Sequence, residues 1–531
     1  MRADELVSLG QAQYGDNIQI TGQRGEIETA DGFSLAANQL NYTVFANPKE
    51  VENDDLTANA LSPILQVDSA SISALLSLDR FWVSLSPAVT NDTKNEIDKL
   101  KLPGVGFEEK YTRFYPEASM AATLLGFVGK DANGEDQGYF GLEGFYDRQL
   151  KGKSTYETQI NDAFGRPILA KLENFSGDTA GRTLVLHIDR AVQYMMEDEL
   201  QKGMQLYGAQ SVTAAAIDPK TGGIIAMASL PSFDPRTYQD YSDDLFLNPF
   251  ISDTYEPGST FKPLVMATAI DKGLVTPYTK CNICSGPVPI GGYEIHTWND
   301  EYAPNIDMIH VIQDSDNTGM TFVGEKLGLS GMEDVLQRFG FNDLTGIDLQ
   351  GEGGSDIKST DNWYPIDVAT SSFGQGIAVT PIQLLTAFAS LANDGKRMEP
   401  HVVDKIITSD GQTIVIPPKV LGQTVSMQTA RVMNEILVNA VNNGEASFAR
   451  LKGYRIAGKT GTAQIPVAGH YDPTKTIASF IGYAPADDPK FVMLVIVNRP
   501  TSSIYGSETA APIFFSLAQR MLNYYGIAPT E

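Results

Sequence analysis

The longest uninterrupted apolar run in this sequence, residues 491–497 (FVMLVIV), has the length of a buried β-strand. A helix that crosses a membrane needs about 20 apolar residues, so this run is too short to cross one. A short turn, residues 487–490 (DDPK), separates the run from another largely apolar segment at 479–483. Two such segments on either side of a turn that contains Asp and Pro predict a β-hairpin.

The sequence predicts a second hairpin and several helices around these strands. Residues 211–217 and 224–228 flank the turn DPKTG and form the second hairpin. A helix precedes it from Asp189, whose side chain suits an N-cap, and a final helix starts near Pro512, which suits a first turn. Helices around antiparallel strand pairs predict an α+β fold with an antiparallel sheet flanked by helices.

The first 180 residues follow a different pattern. They contain short alternating segments such as 41–46 (NYTVFA), broken by polar turns, and one charged stretch that favours a helix, residues 90–101. No nucleophile paired with a base stands out among them, so we interpret this part as a structural or docking module. The sequence therefore predicts a division into residues 1–180 and residues 181–531.

Composition excludes several classes of function. The 531 residues suffice for about two to four domains. Lys and Arg number 39 against 65 Asp and Glu, a formal charge of −26, which argues against a general nucleic-acid binder. With only two cysteines and five scattered histidines, neither a disulfide scaffold nor a multi-histidine metal centre is expected.

Three short motifs carry side chains suited to catalysis, and the first lies in residues 255–263 (YEPGSTFKP). The apolar residues after the Pro-Gly pair favour a helix that begins near Ser259, with Pro263 in its first turn. Ser259 and Lys262 then lie one turn apart on one face, where a neutral lysine can take the proton of a serine nucleophile. The alternative interpretation is a serine N-cap followed by a solvated lysine.

The second motif is Ser315-Asp316-Asn317. A hydroxyl and a carboxamide two residues apart can project into one cleft from a short turn. There the hydroxyl can relay a proton and the amide can hold a peptide-like substrate. The alternative interpretation is an ordinary helix-capping turn.

The third motif is Lys459-Thr460-Gly461-Thr462, which we place on the edge of a strand. It offers a cation, two hydroxyls and, at Gly461, a backbone that a substrate can approach closely. These groups suit a carboxylate and an oxyanion. The same tripeptide recurs at residues 220–222, but that copy falls in a predicted hairpin turn, so we interpret it as an exposed turn.

The motifs follow one another as Ser259, Ser315 and Lys459, with gaps of 56 and 144 residues. This trio is known from penicillin-binding proteins and class A β-lactamases, and nearly the whole chain resembles a class B penicillin-binding protein, a peptidoglycan D,D-transpeptidase. Further segments that carry the resemblance are residues 24–27, 31–32, 35–36, 138–144, 373–376 and 380–383. The chain departs from the family at Thr29 and Ala30, where an Asp-Arg pair is usual, which weakens the N-terminal match locally.

The resemblance implies a fold and a reaction. The fold is a catalytic domain of the penicillin-binding and serine β-lactamase type, preceded by an elongated mixed α/β pedestal domain similar to dimerisation domains. In the reaction, Ser259 attacks the D-Ala–D-Ala carbonyl of a stem peptide, Lys262 is the general base and Ser315 passes the proton to the leaving D-Ala. An amine of a neighbouring stem peptide then takes the acyl group, and β-lactams trap Ser259 by mimicking the donor.

The other motif residues are implied to bind the substrate. Asn317 holds the substrate amide, and Lys459 and Thr460 face the terminal carboxylate. Gly461 belongs to the same binding strand, and the backbone N–H groups of Ser259 and Thr462 form an oxyanion hole. No metal or organic cofactor is expected.

The resemblance also implies partners and a location. The partners are peptidoglycan stem peptides, β-lactam antibiotics, a membrane-embedded glycan polymerase and division proteins, with no nucleic acid. The location is the outer face of the bacterial cytoplasmic membrane, and a single N-terminal anchor is expected to lie outside this sequence. Residues 256–258 and 463–464 resemble the division (septal) type more than the elongation type.

Other functions stay open. A β-lactam hydrolase needs a group that activates water against the acyl-enzyme, and no glutamate motif is placed for that. The remaining alternatives are a D,D-carboxypeptidase, a β-lactam-binding sensor, a catalytically silent division scaffold and an elongation-type transpeptidase. Cys281 and Cys284 form either a local disulfide or two structural thiols, and Trp298 either lines the lip of a cleft or packs internally.

Overall fold

The computed structural model describes residues 15–160, 179–467 and 470–530. The chain forms two compact units, each built from separate stretches of sequence. The first takes Met1–Ile27, Ser34–Pro116 and Gln149–Thr183, and the second takes Glu28–Phe33, Glu117–Arg148 and Leu184–Glu531. The linear division at residue 180 stays a prediction.

The first unit is built around three antiparallel strands. The central strand, Ser34–Ala46, pairs with Val83–Val89 on one side and with Val105–Phe114 on the other. Three helices share a core of aliphatic side chains with these strands: Asp54–Leu65, Ser69–Leu76 and Asn91–Leu100. A separate antiparallel pair in this unit joins Gly15–Thr21 to Ser154–Ile160.

The second unit contains a five-stranded antiparallel sheet. In chain order its strands are β1 (Ser211–Ile217), β2 (Ile224–Leu230), β3 (Ala457–Val467), β4 (His470–Ala484) and β5 (Phe491–Asn498). Across the sheet the order is β2-β1-β5-β4-β3, so β5 is central and β3 lies at an edge. The fold is α+β, as predicted.

Seven helices of the second unit support this sheet or the site described below. They are α1 (Arg190–Tyr207), α2 (Lys262–Asp271), α3 (Met308–Gln313), α4 (Asn317–Phe339), α5 (Pro381–Leu391), α6 (Met427–Asn443) and α7 (Ala510–Tyr524). On one face of the sheet, α1 and α7 pack on β1, β4 and β5, where Phe480 contacts Phe514 at a ring separation of 4.6 Å. On the other face, α5 contacts β1, β4 and β5, and Phe388 lies 6.1 Å from Tyr483.

The central position of β5 explains its uninterrupted apolar sequence. Every residue from Phe491 to Val497 is buried, because helices cover both faces of the sheet. A strand buried on both faces has no alternation between apolar and polar residues. The apolar run that dominates the sequence is therefore the middle of the sheet.

The remaining elements are short. Further helices are Ala122–Leu125, Gly141–Phe145, Pro249–Ser252 and Pro365–Ser372, and the 3-10 turns are Pro235–Asp240, Asp243–Leu245, Gly258–Thr260, Thr360–Asn362 and Ser447–Ala449. Further strands are Phe127–Lys130, Asp136–Tyr139, Val288–Ile290, Tyr293–Ile295, Lys396–Met398, Val403–Ile407, Thr413–Val415 and Val420–Gln423. Three short elements lie where the chain continues from one unit into the other. They are the strands Ile27–Glu28 and Thr183–Leu186 and the helix Asp147–Leu150.

None of the helices in the described ranges is long and apolar enough to cross a membrane.

The local predictions are confirmed with two differences in length. Both hairpins are present, Asp189 caps α1 by accepting from Ala191 and Val192 N–H, and the stretch 90–101 contains the helix Asn91–Leu100. Strand β4 extends well before the predicted start at residue 479, because it pairs along almost all of β3. Helix α7 begins at Ala510, two residues before Pro512, which therefore lies in its first turn.

Candidate active site

The first motif forms a tight helical turn ahead of α2. Gly258–Thr260 is a 3-10 turn, in which the Phe261 N–H donates to Gly258 O at 2.9 Å and the Thr260 hydroxyl donates to Pro257 O at 2.7 Å. Each of these hydrogen bonds joins residues three apart, which is the pattern of a 3-10 turn. The α-helix itself begins at Lys262 and not, as predicted, near Ser259. The Ser259 side chain caps neither helix, so its interpretation as an N-cap is wrong.

Lys262 is fully buried, so its interpretation as a solvated lysine is also wrong. Its Nζ lies 2.6 Å from Ser315 O, 2.8 Å from Asn317 Oδ1 and 3.3 Å from Ser315 Oγ. A neutral amine has two N–H donors and one lone pair. The two donors match the two carbonyl oxygens, which leaves the lone pair to accept a proton from a hydroxyl.

Burial favours this neutral form. Removal of the ammonium from water and, to a smaller extent, the nearby positive charge of Lys459 together lower the pKa of Lys262 to about 7, against the opposing charges of Asp316 and Glu445. Near neutral pH a substantial fraction of Lys262 is therefore unprotonated. An amine in that state can accept the proton of a serine hydroxyl.

The second motif lies at the junction between α3 and α4. Asp316 caps α4, its Oδ1 accepting from the Gly319 N–H at 2.8 Å, so the helix-capping interpretation is correct for this residue. Ser315 has a left-handed backbone with φ of 57°, and Asn317 donates from Nδ2 to His296 O at 3.0 Å. The cap at the centre of the turn holds the two flanking side chains beside Lys262, and their roles in proton relay and substrate binding stay predictions.

The third motif lies on β3, at the edge of the sheet as predicted. Lys459 is 3% exposed, and its Nζ donates to Thr460 Oγ1 at 2.9 Å. Thr460 in turn donates to Glu445 Oε2 at 2.7 Å. Burial lowers the pKa of Lys459, and the negative charges of Glu445 and Asp314 oppose that shift.

Gly461 brings the edge strand close to the serine turn. A Cβ on Gly461 would lie 2.4 Å from Ser479 Oγ and 2.8 Å from Thr260 Cγ2, so no side chain fits between β3 and the turn that carries Ser259. Gly461 does not line the cleft, and its part in substrate approach stays a prediction. The neighbouring Thr462 does line the cleft and accepts from the Gly506 N–H at 3.0 Å.

The three motifs meet in one cleft of about 680 Å³. The predicted residues that line it are Ser259, Ser315, Asn317, Thr460 and Thr462. Lys262 and Lys459 lie buried behind this wall. No hydrogen bond joins the Ser259 hydroxyl to Lys262 among the described contacts, and such bonds often shorten only when substrate is bound.

Aromatic side chains form part of the cleft wall. Trp298 is 51% exposed, donates from Nε1 to Asp314 O at 3.2 Å, and meets Tyr505 edge to face at 5.8 Å between ring centroids. Both residues line the cleft, as does Phe373 of the segment 373–376. The cleft-lip interpretation of Trp298 is confirmed.

The sequence reasoning missed the two acidic residues of the cleft and one of its aromatic residues. Glu445, Tyr505 and Glu508 all line it, yet none belongs to the three motifs. Glu445 follows α6, and its only local signal is the preceding Gly444, which is also an ordinary helix-end residue. These contacts arise from pairings distant in sequence, which no local pattern reveals.

Two other sequence features do not line the cleft. The second Lys-Thr-Gly copy lies in the turn between β1 and β2, where Lys220 pairs with Asp488 at 2.5 Å and both side chains are more than half exposed. It is an exposed turn, as interpreted. Cys281 and Cys284 are fully buried and joined in a disulfide, which resolves the alternative left open by the sequence.

Comparison with known families and proteins agrees with this fold. Residues 212–519 match the penicillin binding protein transpeptidase domain, and residues 19–186 match the penicillin-binding protein dimerisation domain. The chain is 33% identical to stage V sporulation protein D of Bacillus subtilis, with 99% of this chain and 82% of that protein covered. It is 32% identical to the peptidoglycan D,D-transpeptidase FtsI of Escherichia coli, covering 99% of this chain and 88% of the relative.

Solved structures show the same fold. A peptidoglycan synthetase from Bifidobacterium adolescentis superposes with a TM-score of 0.77 at 25% identity, covering 97% of this chain and 98% of that one. Penicillin binding protein 3 of Mycobacterium tuberculosis, complexed with aztreonam, gives 0.75 at 24% identity, covering 96% and 98%. The chain therefore belongs to the class B penicillin-binding proteins, which are peptidoglycan D,D-transpeptidases.

The loop 373–376 supplies a test of how the serine turn is held. Gly374 O accepts from the Gly258 N–H at 3.0 Å, and a Cβ on Gly374 would lie 2.2 Å from Gly258 O. We predict that Gly374→Ala displaces the turn and speeds hydrogen exchange at the Gly258 amide at least tenfold, measured by mass spectrometry or NMR.

The matched control is Gly411→Ala. Gly411 has nearly the same backbone, with φ of 82° against 81° for Gly374, but a Cβ there meets nothing within 4 Å. Both variants place an alanine in a left-handed backbone conformation, which costs about 1 kcal/mol. Only Gly374→Ala adds the clash with Gly258 O. Equal exchange at Gly258 in the two variants would show that the loop does not hold the turn.

Proposed function

We propose that this chain crosslinks peptidoglycan stem peptides through an acyl-enzyme on Ser259. The observation that carries the proposal is the fully buried Lys262 amine, held by Ser315 and Asn317 one helical turn from a serine that lines the cleft. A pKa near 7 makes Lys262 a base at the pH where the reaction runs. Ser259, Lys262 and Ser315 are the proposed catalytic residues.

In the first half of the reaction, Ser259 Oγ attacks the carbonyl carbon of the D-Ala–D-Ala bond while Lys262 Nζ accepts the hydroxyl proton. The proton then passes through the Ser315 hydroxyl to the nitrogen of the leaving D-Ala. The C–N bond breaks, D-Ala leaves as the amine, and an ester joins the donor peptide to Ser259.

In the second half, an amine of a neighbouring stem peptide attacks this ester. The amine loses a proton to Lys262, the C–O bond breaks, and Ser259 regains its proton, so the products are an amide crosslink and the free enzyme. A β-lactam enters as the donor, but its ring-opened product stays attached to the site. The acyl-enzyme is then long-lived.

The binding residues follow from the chemistry of the donor. Asn317 offers a carboxamide to the peptide backbone, and Lys459 and Thr460 offer a cation and a hydroxyl to the terminal carboxylate. The backbone N–H groups of Ser259 and Thr462 are proposed to bind the oxyanion. Gly461 is proposed to let the donor lie close against β3.

Location and partners complete the proposal. We place the catalytic domain in residues 181–531 and the pedestal in residues 1–180, supported by family matches at 212–519 and 19–186. The chain is proposed to act in septum formation at the outer face of the cytoplasmic membrane, with a membrane-embedded glycan polymerase and division proteins. The segments 256–258 and 463–464 support the septal role.

Reconstitution tests the partnership. We predict that adding the polymerase with lipid-linked substrate raises the crosslinking rate of this chain at least severalfold, because nascent glycan supplies donor and acceptor together. The products are measured by chromatography of digested glycan. An unchanged rate would contradict the partnership while leaving the chemistry of the site intact.

The nucleophile is tested with benzylpenicillin. We predict that the intact protein gains the mass of one benzylpenicillin, that the adduct persists for many minutes, and that Ser259→Ala forms none, because the alanine has no oxygen to acylate. Intact-protein mass spectrometry measures all three. An adduct in Ser259→Ala, or drug consumption without an adduct, would contradict the proposal, and the second result would indicate a hydrolase.

The base is tested by the pH dependence of acylation. The pKa of Lys262 is lowered from 10.5 to about 7, so the neutral form grows as pH rises through 7. We predict that the second-order rate constant of acylation rises about tenfold per pH unit below 7 and levels off above it. Stopped-flow measurements with benzylpenicillin between pH 5 and pH 9 provide the profile.

A matched pair of variants separates the base from general effects of lysine replacement. Lys262→Arg places a guanidinium that stays protonated, so acylation should fall by about a thousandfold or more. Lys220→Arg makes the same substitution at an exposed lysine that does not line the cleft, and it should leave the rate unaltered. A profile that is flat from pH 5 to pH 9 would exclude Lys262 as the base.

A further inference from the structure

Glu445 occupies the place where a ligand carboxylate is expected. Its Oε2 accepts from the Thr460 hydroxyl at 2.7 Å, and Thr460 Oγ1 accepts from Lys459 Nζ at 2.9 Å. The three side chains form one hydrogen-bonded series that ends in a carboxylate at the cleft wall. Lys459 and Thr460 are the two groups proposed above to bind the carboxylate of the donor.

The single proton of the Thr460 hydroxyl is already in use. A hydroxyl donates one hydrogen bond, and Thr460 gives its proton to Glu445 while it accepts from Lys459. Before it can donate to the carboxylate of a donor peptide, the hydroxyl must turn away from Glu445. Donor binding therefore replaces one hydrogen bond with another and does not simply add one.

The charges of the cleft also oppose the binding of a donor carboxylate. Glu445 and Glu508 line it, and no lysine or arginine is among the described lining residues. Lys459, the lysine of the third motif, is only 3% exposed. An incoming carboxylate therefore meets a like charge at the wall before it reaches the buried Lys459.

We propose that Glu445 is a specificity-determining residue that competes with the donor carboxylate for Thr460 and Lys459. This inference rests on the proposed function, since it takes Lys459 and Thr460 as the carboxylate-binding groups. Glu445 lowers the affinity of the unoccupied cleft for anionic donors, and a donor binds by displacing its carboxylate from the Thr460 hydroxyl. No covalent step is involved.

The structure offers space for the displaced carboxylate. Glu445 also lines an adjoining cavity of about 420 Å³, together with Trp298, Tyr302 and Gln313. Glu445 is only partly buried, so its side chain can turn toward this cavity without leaving water.

The test compares two β-lactams that differ in one charge. Benzylpenicillin carries a carboxylate, and its methyl ester does not. The rates are measured at pH 8, above the Lys262 pKa of about 7, so that loss of the Glu445 charge has little effect on the protonation of Lys262. For Glu445→Gln we expect the second-order rate constant of acylation to rise about 3- to 10-fold with benzylpenicillin and to change less than about twofold with the ester. Gln keeps the size of the side chain and its acceptor oxygen but removes the competing charge.

Glu508→Gln is the matched control. It removes the same charge from the same cleft, but Glu508 is not the carboxylate that accepts from Thr460. For Glu508→Gln, the ratio of the acylation rate constant with benzylpenicillin to that with the ester should stay within about twofold of the ratio for the unaltered protein. Because misfolded protein lowers the active fraction equally for both compounds, the ratio reports on the carboxylate site even if Glu445→Gln is less stable.

Each outcome is decisive. A slower reaction of Glu445→Gln with benzylpenicillin, or an equal change with both compounds, overturns the proposal. Unchanged acylation together with slower crosslinking also overturns it and assigns Glu445 to the acceptor side. If the unaltered protein forms no adduct with either compound, the proposed function is wrong, and the inference about Glu445, which rests on it, is overturned as well.

Discussion

The site depends on one constraint, the burial of the Lys262 amine among oxygen atoms. An ammonium in that place loses its hydration, which lowers its pKa to about 7 and favours the neutral base. Ser315 O and Asn317 Oδ1 satisfy the two donors of the neutral amine, at 2.6 and 2.8 Å. The left-handed backbone at Ser315 and the Asp316 cap of α4 both serve to hold those acceptors in place.

The sheet and its glycines bring the rest of the site to that amine. Because β3 is an edge strand, its Lys459 and Thr460 lie beside the serine turn and not under another strand. Close approach is possible because Gly461 and Gly374 have no side chain to collide with Ser479 Oγ and Gly258 O. The central strand, buried on both faces, makes this edge part of a rigid scaffold.

Much of the fold and of the candidate site could be predicted from the sequence, because residues close together in the chain encode it. The hairpins follow from apolar runs and turns, and the cap at Asp189 follows from side-chain chemistry. The motif residues Ser259, Ser315 and Lys459 were found because each has a chemical type suited to its place. The segmented units, the hydrogen bond of Glu445 to Thr460 and the packing role of Gly461 were missed, since each depends on residues distant in sequence.

The central claim is tested most directly by titrating Lys262 itself. Lysines labelled with ¹³C at Cε report their own protonation by NMR, and the Lys262 resonance is assigned by its loss in Lys262→Arg. The account predicts a midpoint at about pH 7 for this resonance. A midpoint near that of a solvated lysine, about 10.4, would contradict the account, because the proposed base would then be protonated at neutral pH.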